Sequence, residues 1–159
     1  MVAEAADGCV HSMLHHCHSP RLLPKLCSVL VGDKSAKLRQ SAAKYLLQVV
    51  QEWQPAAYER QQVELERAIL AAARDAQAET RSAGRAMYAA YAHACPGAAS
   101  ALLRRLDNDR ALQEKLSQTM QSYVSGEVNS LSRFGSVACV QQVSTCFVLS
   151  DCLSRRAGV

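Results

Sequence analysis

The residues best suited to chemistry sit near the start and the middle of this chain. His11 and His15 lie four apart, and His16, Cys17 and His18 follow closely. Imidazoles at that spacing share one helix face and suit zinc, which takes nitrogen and sulfur ligands. The sequence offers no second ligand pair at a zinc-finger distance and no clear acidic support. Histidines at a helix C-terminus also interact well with the helix dipole, so a dipole role is expected, with no metal and no cofactor. His93 and Cys95 are two apart, the other chemically suggestive pair. At a helix end beside Pro96 they make a poor nucleophile and base, which need mutual hydrogen-bond reach. There is no P-loop, GxSxG, HExxH or glycine-rich dinucleotide turn. Catalysis is not expected.

The more informative residues recur. Gly32-Asp33-Lys34-Ser35-Ala36-Lys37-Leu38-Arg39 aligns with Arg74-Asp75-Ala76-Gln77-Ala78-Glu79-Thr80-Arg81, 42 residues later. Asp33 matches Asp75, Ala36 matches Ala78, and Arg39 matches Arg81. Lys34 and Lys37 lie in and just after the first turn, either as an ordinary solvated helix start or as charged contacts for an acidic partner. Arg39 and Arg81 each follow the turn aspartate by six residues. Such Asp and Arg residues suit a ladder that cross-links neighbouring turns. Arg85 is one helical turn beyond Arg81. In the second turn Ala76 and Glu79 replace the two lysines, so that turn offers less positive charge.

The elements that must carry these turns read as helices. Ala6, Val10, Met13 and Leu14 mark a first helix over 2–17, with no matching helix before it, so the chain reads as starting in mid-repeat. Ser19-Pro20 is a helix start, and Leu22, Leu23, Leu26, Val29 and Leu30 run to Gly32, a natural stop. Leu38, Ala42, Tyr45, Leu46, Val49, Val50 and Trp53 form the clearest amphipathic stripe, and Pro55 ends that unit. Trp53 ends the stripe, far from the turn, so core packing is expected of it. Tyr58, Val63, Leu65, Ile69, Leu70 and Ala73 serve the next helix. Ala83, Ala86, Met87, Ala90, Tyr91 and Ala94 line its partner, which Pro96-Gly97 closes. A shorter third unit has Ala98–Leu106, a turn at Asp107-Asn108-Asp109, then Leu112, Leu116, Met120 and Tyr123. Helix–turn–helix units repeating every 40–47 residues or so are the signature of an α-solenoid of HEAT or armadillo type. Stacked repeats build ridges for binding in place of closed pockets.

Bulk properties agree. The chain has 159 residues, about one domain's worth. Apolar residues make up 49% against 5% aromatic, which suits close-packed, alanine-rich helices better than a β-sandwich. The net charge of +4 fits an acidic protein partner. It is too small to imply nucleic acid, and the few aromatics give no stacking platform for single strands. Seven cysteines without a CxxC pair read as reduced thiols of an intracellular protein. The start, MVAEAADGCVHSM, resembles neither a signal nor a transit peptide. No run reaches the roughly 18 apolar residues of a membrane span.

Several motifs, in order, resemble the TOG domains of the CLASP family, the cytoplasmic linker-associated proteins. Tyr45-Leu46-Leu47-Gln48-Val49-Val50-Gln51-Glu52-Trp53 resembles the Leu-Leu-x-Glx-Trp end of one family repeat. His18-Ser19-Pro20-Arg21-Leu22-Leu23-Pro24 is similar to its His-x-Pro-Arg-Leu-Ile-Pro start. Asp75-Ala76-Gln77-Ala78-Glu79-Thr80-Arg81-Ser82-Ala83-Gly84-Arg85 resembles its Asp-Ala-Asp-x-Glu-Ala-Arg-x-x-Ala-Arg turn. Met87-Tyr88-Ala89-Ala90-Tyr91, with His93, stands where the family carries Tyr-Trp-x-Phe. The resemblance covers residues 2–123 and aligns them from the last half of the third TOG repeat onward, without the first two repeats.

That resemblance implies a HEAT-repeat, TOG-like α-solenoid that binds tubulin through its inter-helix loops. It implies Lys34, Lys37, Arg39, Arg81 and Arg85 as tubulin-facing residues. It implies tubulin or microtubules as partner, a place on cytoplasmic microtubules, and an effect on microtubule stability. No nucleic acid or membrane is expected as a partner. Two alternatives stand beside this reading. One is a generic HEAT scaffold for another protein; the other is a fragment without tubulin binding of its own. The expected division is a partial TOG domain over 1–124 and a less regular, Ser-, Val- and Cys-rich tail over 125–159.

Overall fold

The structure, a computed structural model, describes residues 2–106 and 109–124. These residues are all-α, with no strand among them. The expected tail over 125–159 and the turn residues 107 and 108 lie outside the described residues.

Helix α1 spans Val2–His16, α2 Leu23–Gly32 and α3 Ala36–Glu52. A short α4, Pro55–Tyr58, precedes α5, Gln62–Ala73, and then α6, Ala78–Ala94. Helices α7, Pro96–Arg104, and α8, Arg110–Val124, complete the described chain. Single 3-10 turns at Pro20–Leu22 and Glu59–Gln61 lead into α2 and α5. Prolines open several segments, because a fixed φ and a missing N–H cost nothing in a first helical turn. Pro55 is one of them: α3 ends at Glu52 with Trp53 as its C-cap, and Pro55 starts α4.

The helices pack in two rows. In one row α1 packs on α3, α3 on α6, and α6 on α8. In the other, α2 packs on α5. Hairpins α2–α3 and α5–α6 join the rows, and α7 rests on α6. The recurrence at 42 residues is the spacing between these two hairpins.

Small residues set the spacing of the rows. Ala42, Ala43, Ala68, Ala72 and Ala73 are buried between the helices. A Cβ at Gly84 would lie 2.5 Å from the Ala73 nitrogen and 2.7 Å from the Ala72 Cβ, so α6 touches the backbone of α5 there. Around this contact α6 is buried on nearly every side from Ala86 to Ala92, as a helix enclosed by neighbours must be. Leu14, Leu23, Leu46, Leu65, Ile69 and Leu116 are wholly inaccessible to solvent.

Some residues expected on apolar stripes face solvent instead. Val63 is 72% exposed, because it stands two residues before Leu65 in the same helix, about 200° around the axis from it. Leu65, Ile69 and Ala72 then face the core, and Val63 points the other way. Leu38, in the first turn of α3, is 53% exposed beside the loop. On α1, Ala6 and Met13 are exposed, while Leu14 is fully buried.

Candidate functional site

The loops between paired helices are built alike. After α2, the Asp33 carboxylate accepts from the Ser35 N–H at 2.7 Å. Ser35 caps α3, its hydroxyl accepting from the Leu38 N–H at 3.4 Å. After α5, the Asp75 carboxylate accepts from the Gln77 N–H at 2.8 Å. Before α8, the Asp109 carboxylate accepts from the Leu112 N–H at 3.2 Å. A short acidic side chain bonding to backbone just ahead of it fixes a tight turn into a helix.

Arginines close the same loops from inside. Arg39 Nη1 donates to the carbonyls of Asp33 at 3.0 Å and Lys34 at 3.2 Å. Arg81 Nη1 donates to the carbonyls of Asp75 at 2.8 Å and Ala76. The loops are also tied to each other. Arg39 Nε donates to the Asp75 carboxylate at 2.7 Å, and Arg74 Nε to Asp109 at 3.2 Å. Gln40 on α3 bonds Glu79 on α6. The Arg39 side chain is 18% exposed and that of Asp75 only 7%, so solvent screens this pair weakly. The Arg39 hydrogen bond holds the Asp75 carboxyl below the usual carboxylate range, against the opposing effect of burial.

The candidate residues therefore divide. Lys34 and Lys37 are exposed, and neither ammonium has an ion-pair partner among the described residues. Arg39 and Arg81 are half-buried, and both spend donors on loop carbonyls. Arg85 is half-buried on α6, beyond the loop. The Arg74–Asp109 link escaped the sequence reading, because Arg74 has no matching arginine at Gly32 in the first copy.

The histidines of α1 hold that helix to α3. His11 Nδ1 meets Gln48 Oε1, and His15 Nδ1 meets Glu52 Oε2 at 3.1 Å. The Tyr45 hydroxyl donates to Asp7. Burial, then this bond to Asp7, pushes the phenol up to about 12. Trp53 is 3% exposed and donates its Nε1–H to the Leu14 carbonyl at 2.9 Å, so it locks α1 to α3 from within the core. No group of three potential metal ligands comes together among the described residues. Burial raises both inner thiols, Cys27 to about 12 and Cys95 above its ordinary value, which keeps them protonated and poorly nucleophilic. No helix among the described residues is long and apolar enough to cross a membrane.

Comparison with known proteins adds a family. Residues 1–117 match the family described as CLASP N terminal. A relative, the CLIP-associated protein of Arabidopsis thaliana, is 31% identical over 108 residues. That match covers 67% of this chain and 8% of the relative, so the chain spans a small part of that protein's length.

Proposed function

The chain belongs to the CLASP N-terminal family, and on that footing we propose that its loop edge binds tubulin or the microtubule lattice and stabilises microtubules. Residues 1–124 act as a partial TOG domain of HEAT repeats, with 125–159 as a separate tail. The chain works on cytoplasmic microtubules, by binding and without a reaction or cofactor.

One observation supports this reading most. The loops are tied in series, Arg39 to Asp75 and Arg74 to Asp109, while Lys34 and Lys37 on the same edge are left exposed. A row of fixed loops presents charge without an ordering cost at the moment of binding. The two ammonium groups supply attraction to an acidic surface, which speeds encounter and makes binding salt-sensitive. Arg39 and Arg81 act mostly by holding the loops in shape, and Arg85 lies at the margin of the contact.

The test is microtubule dynamics in the presence of the full chain, followed by label-free microscopy. A lower catastrophe frequency, restored by Lys34→Glu/Lys37→Glu, is expected. An unchanged catastrophe frequency at saturating chain would remove the stabilising role.

A further inference from the structure

A second surface lies along the outer face of α5. Val63, Arg67, Leu70 and Arg74 follow one another at three- and four-residue steps, so they share one stripe of the helix. Val31 at the end of α2 and Arg105 after α7 complete the walls of an open groove of about 370 Å³. Leu102 and Ala71 line its floor. Val63 and Val31 are among the few large apolar side chains left exposed, at 72% and 36%. Three arginines surround them. Arg105 is 67% exposed and donates through Nη1 to Glu66, whose side chain is 7% exposed and which also accepts from Tyr91 and Gln62. Arg74 donates through Nε to Asp109, and no further bond of its guanidinium is formed among the described residues. Arg67 is exposed and has no ion pair among the described residues.

We propose that this groove docks an acidic, amphipathic peptide segment of another protein, its apolar side chains against Val63, Leu70 and Val31 and its carboxylates on Arg67, Arg74 and Arg105. Alternating apolar and cationic positions along one helix face match a segment whose apolar and acidic groups alternate with the same period. Guanidinium groups favour carboxylates, which they bind bidentately. Charge decides against the two nearer occupants. Residues 125–159 carry Arg133, Arg155 and Arg156 against Glu127 and Asp151, so they do not complement a basic groove. A second copy docked through this same face would set these arginines against their own equivalents. The groove is formed mainly by helix faces and shares Arg74 with the loop edge, so Arg67 and Val63, which lie away from the loops, are the positions that test it apart from the proposed tubulin contact.

The experiment is fluorescence anisotropy of a labelled synthetic peptide repeating Glu-Glu-Leu, titrated with the full chain. Peptides repeating Lys-Lys-Leu and Glu-Glu-Ser serve as controls. Salt-sensitive binding of the first peptide alone is expected. Arg67→Glu weakens it by up to about fivefold, the most that a single exposed pair is worth. Val63→Ser weakens it as well, and Lys34→Glu/Lys37→Glu leaves it unchanged. Both substitutions fall at exposed positions, and the variants are compared with the wild type at matched helicity by circular dichroism. No binding, or equal binding of the control peptides or of Arg67→Glu, would overturn the proposal. So would self-association abolished by Arg67→Glu, which puts a second copy in the groove. A disulfide from Val63→Cys to Cys139, Cys146 or Cys152, mapped by mass spectrometry, would put the chain's own C-terminal segment there and overturn it too.

Discussion

Arg39 donates to the Asp75 carboxylate at 2.7 Å and to the Asp33 carbonyl at 3.0 Å, so one side chain closes its own loop and grips the next. The Asp75 carboxyl is held below its ordinary range, chiefly by that hydrogen bond. A carboxylate with a depressed folded pKa stabilises fully above its unfolded value, near pH ~4, and loses that contribution as pH falls through the folded value. Asp75→Asn should therefore lower the urea midpoint at pH 7, and the gap to the wild type should close on acidification below pH ~4. A gap that stays constant from neutral to acid pH would contradict the role given to this pair.

Gly84 makes the second prediction. A methyl there meets the backbone of Ala72 and Ala73 at 2.5–2.7 Å, which no flexible side chain can relieve. Helix propensity alone favours alanine over glycine by up to about 1 kcal/mol. The close approach outweighs it, and Gly84→Ala should destabilise by about 1–3 kcal/mol, as overpacking does. Ser82→Ala, two residues earlier on the exposed side of α6, serves as control and should leave thermal unfolding nearly unchanged. Equal melting temperatures for Gly84→Ala and wild type would show that the helices are not so close.

The sequence carried the hairpins well and their rotation less well. The match of Asp33 to Asp75 and Arg39 to Arg81 located the two loops, because the turn chemistry is local and repeats. The stripe of α3 was legible from Ala42 to Val50 for the same reason: one uninterrupted helix keeps one phase. Val63 was misplaced because it was grouped with Leu65, which is two residues on and so faces the opposite side of the same helix. Glu66 stayed hidden, since a charged residue is buried only where donors from elsewhere meet it, here Tyr91, Gln62 and Arg105. The arginine groove was invisible for both reasons together. Lys34 and Lys37 were legible as exposed loop residues, while the partner they face was legible only through family resemblance.

Trp53 reports on the seam between α1 and α3. It is the single tryptophan, is 3% exposed, and bonds the Leu14 carbonyl. The folded chain should show the blue-shifted emission of a buried indole, moving to the red on unfolding. Trp53→Phe removes the donor and leaves a buried carbonyl unpaired, which should cost about 1–3 kcal/mol before any loss of packing. Red emission from the native chain would contradict this placement.

The thiols should separate by reactivity. Cys9 and Cys17 are exposed, whereas Cys27 is buried with its thiol pushed up to about 12. Iodoacetamide at pH 8, read by peptide mass spectrometry, should modify Cys9 and Cys17 quickly and Cys27 only after denaturation. Rapid native labelling of Cys27 would show that α2 does not pack as described.

The measurement that tests the central claim most directly is co-sedimentation of the full chain with microtubules across a salt series, beside Lys34→Glu/Lys37→Glu of matched helicity. The account predicts pelleting of the wild type that weakens as salt rises and is lost in the double variant. A folded wild type that stays in the supernatant at low salt, or a double variant that pellets equally well, would contradict it.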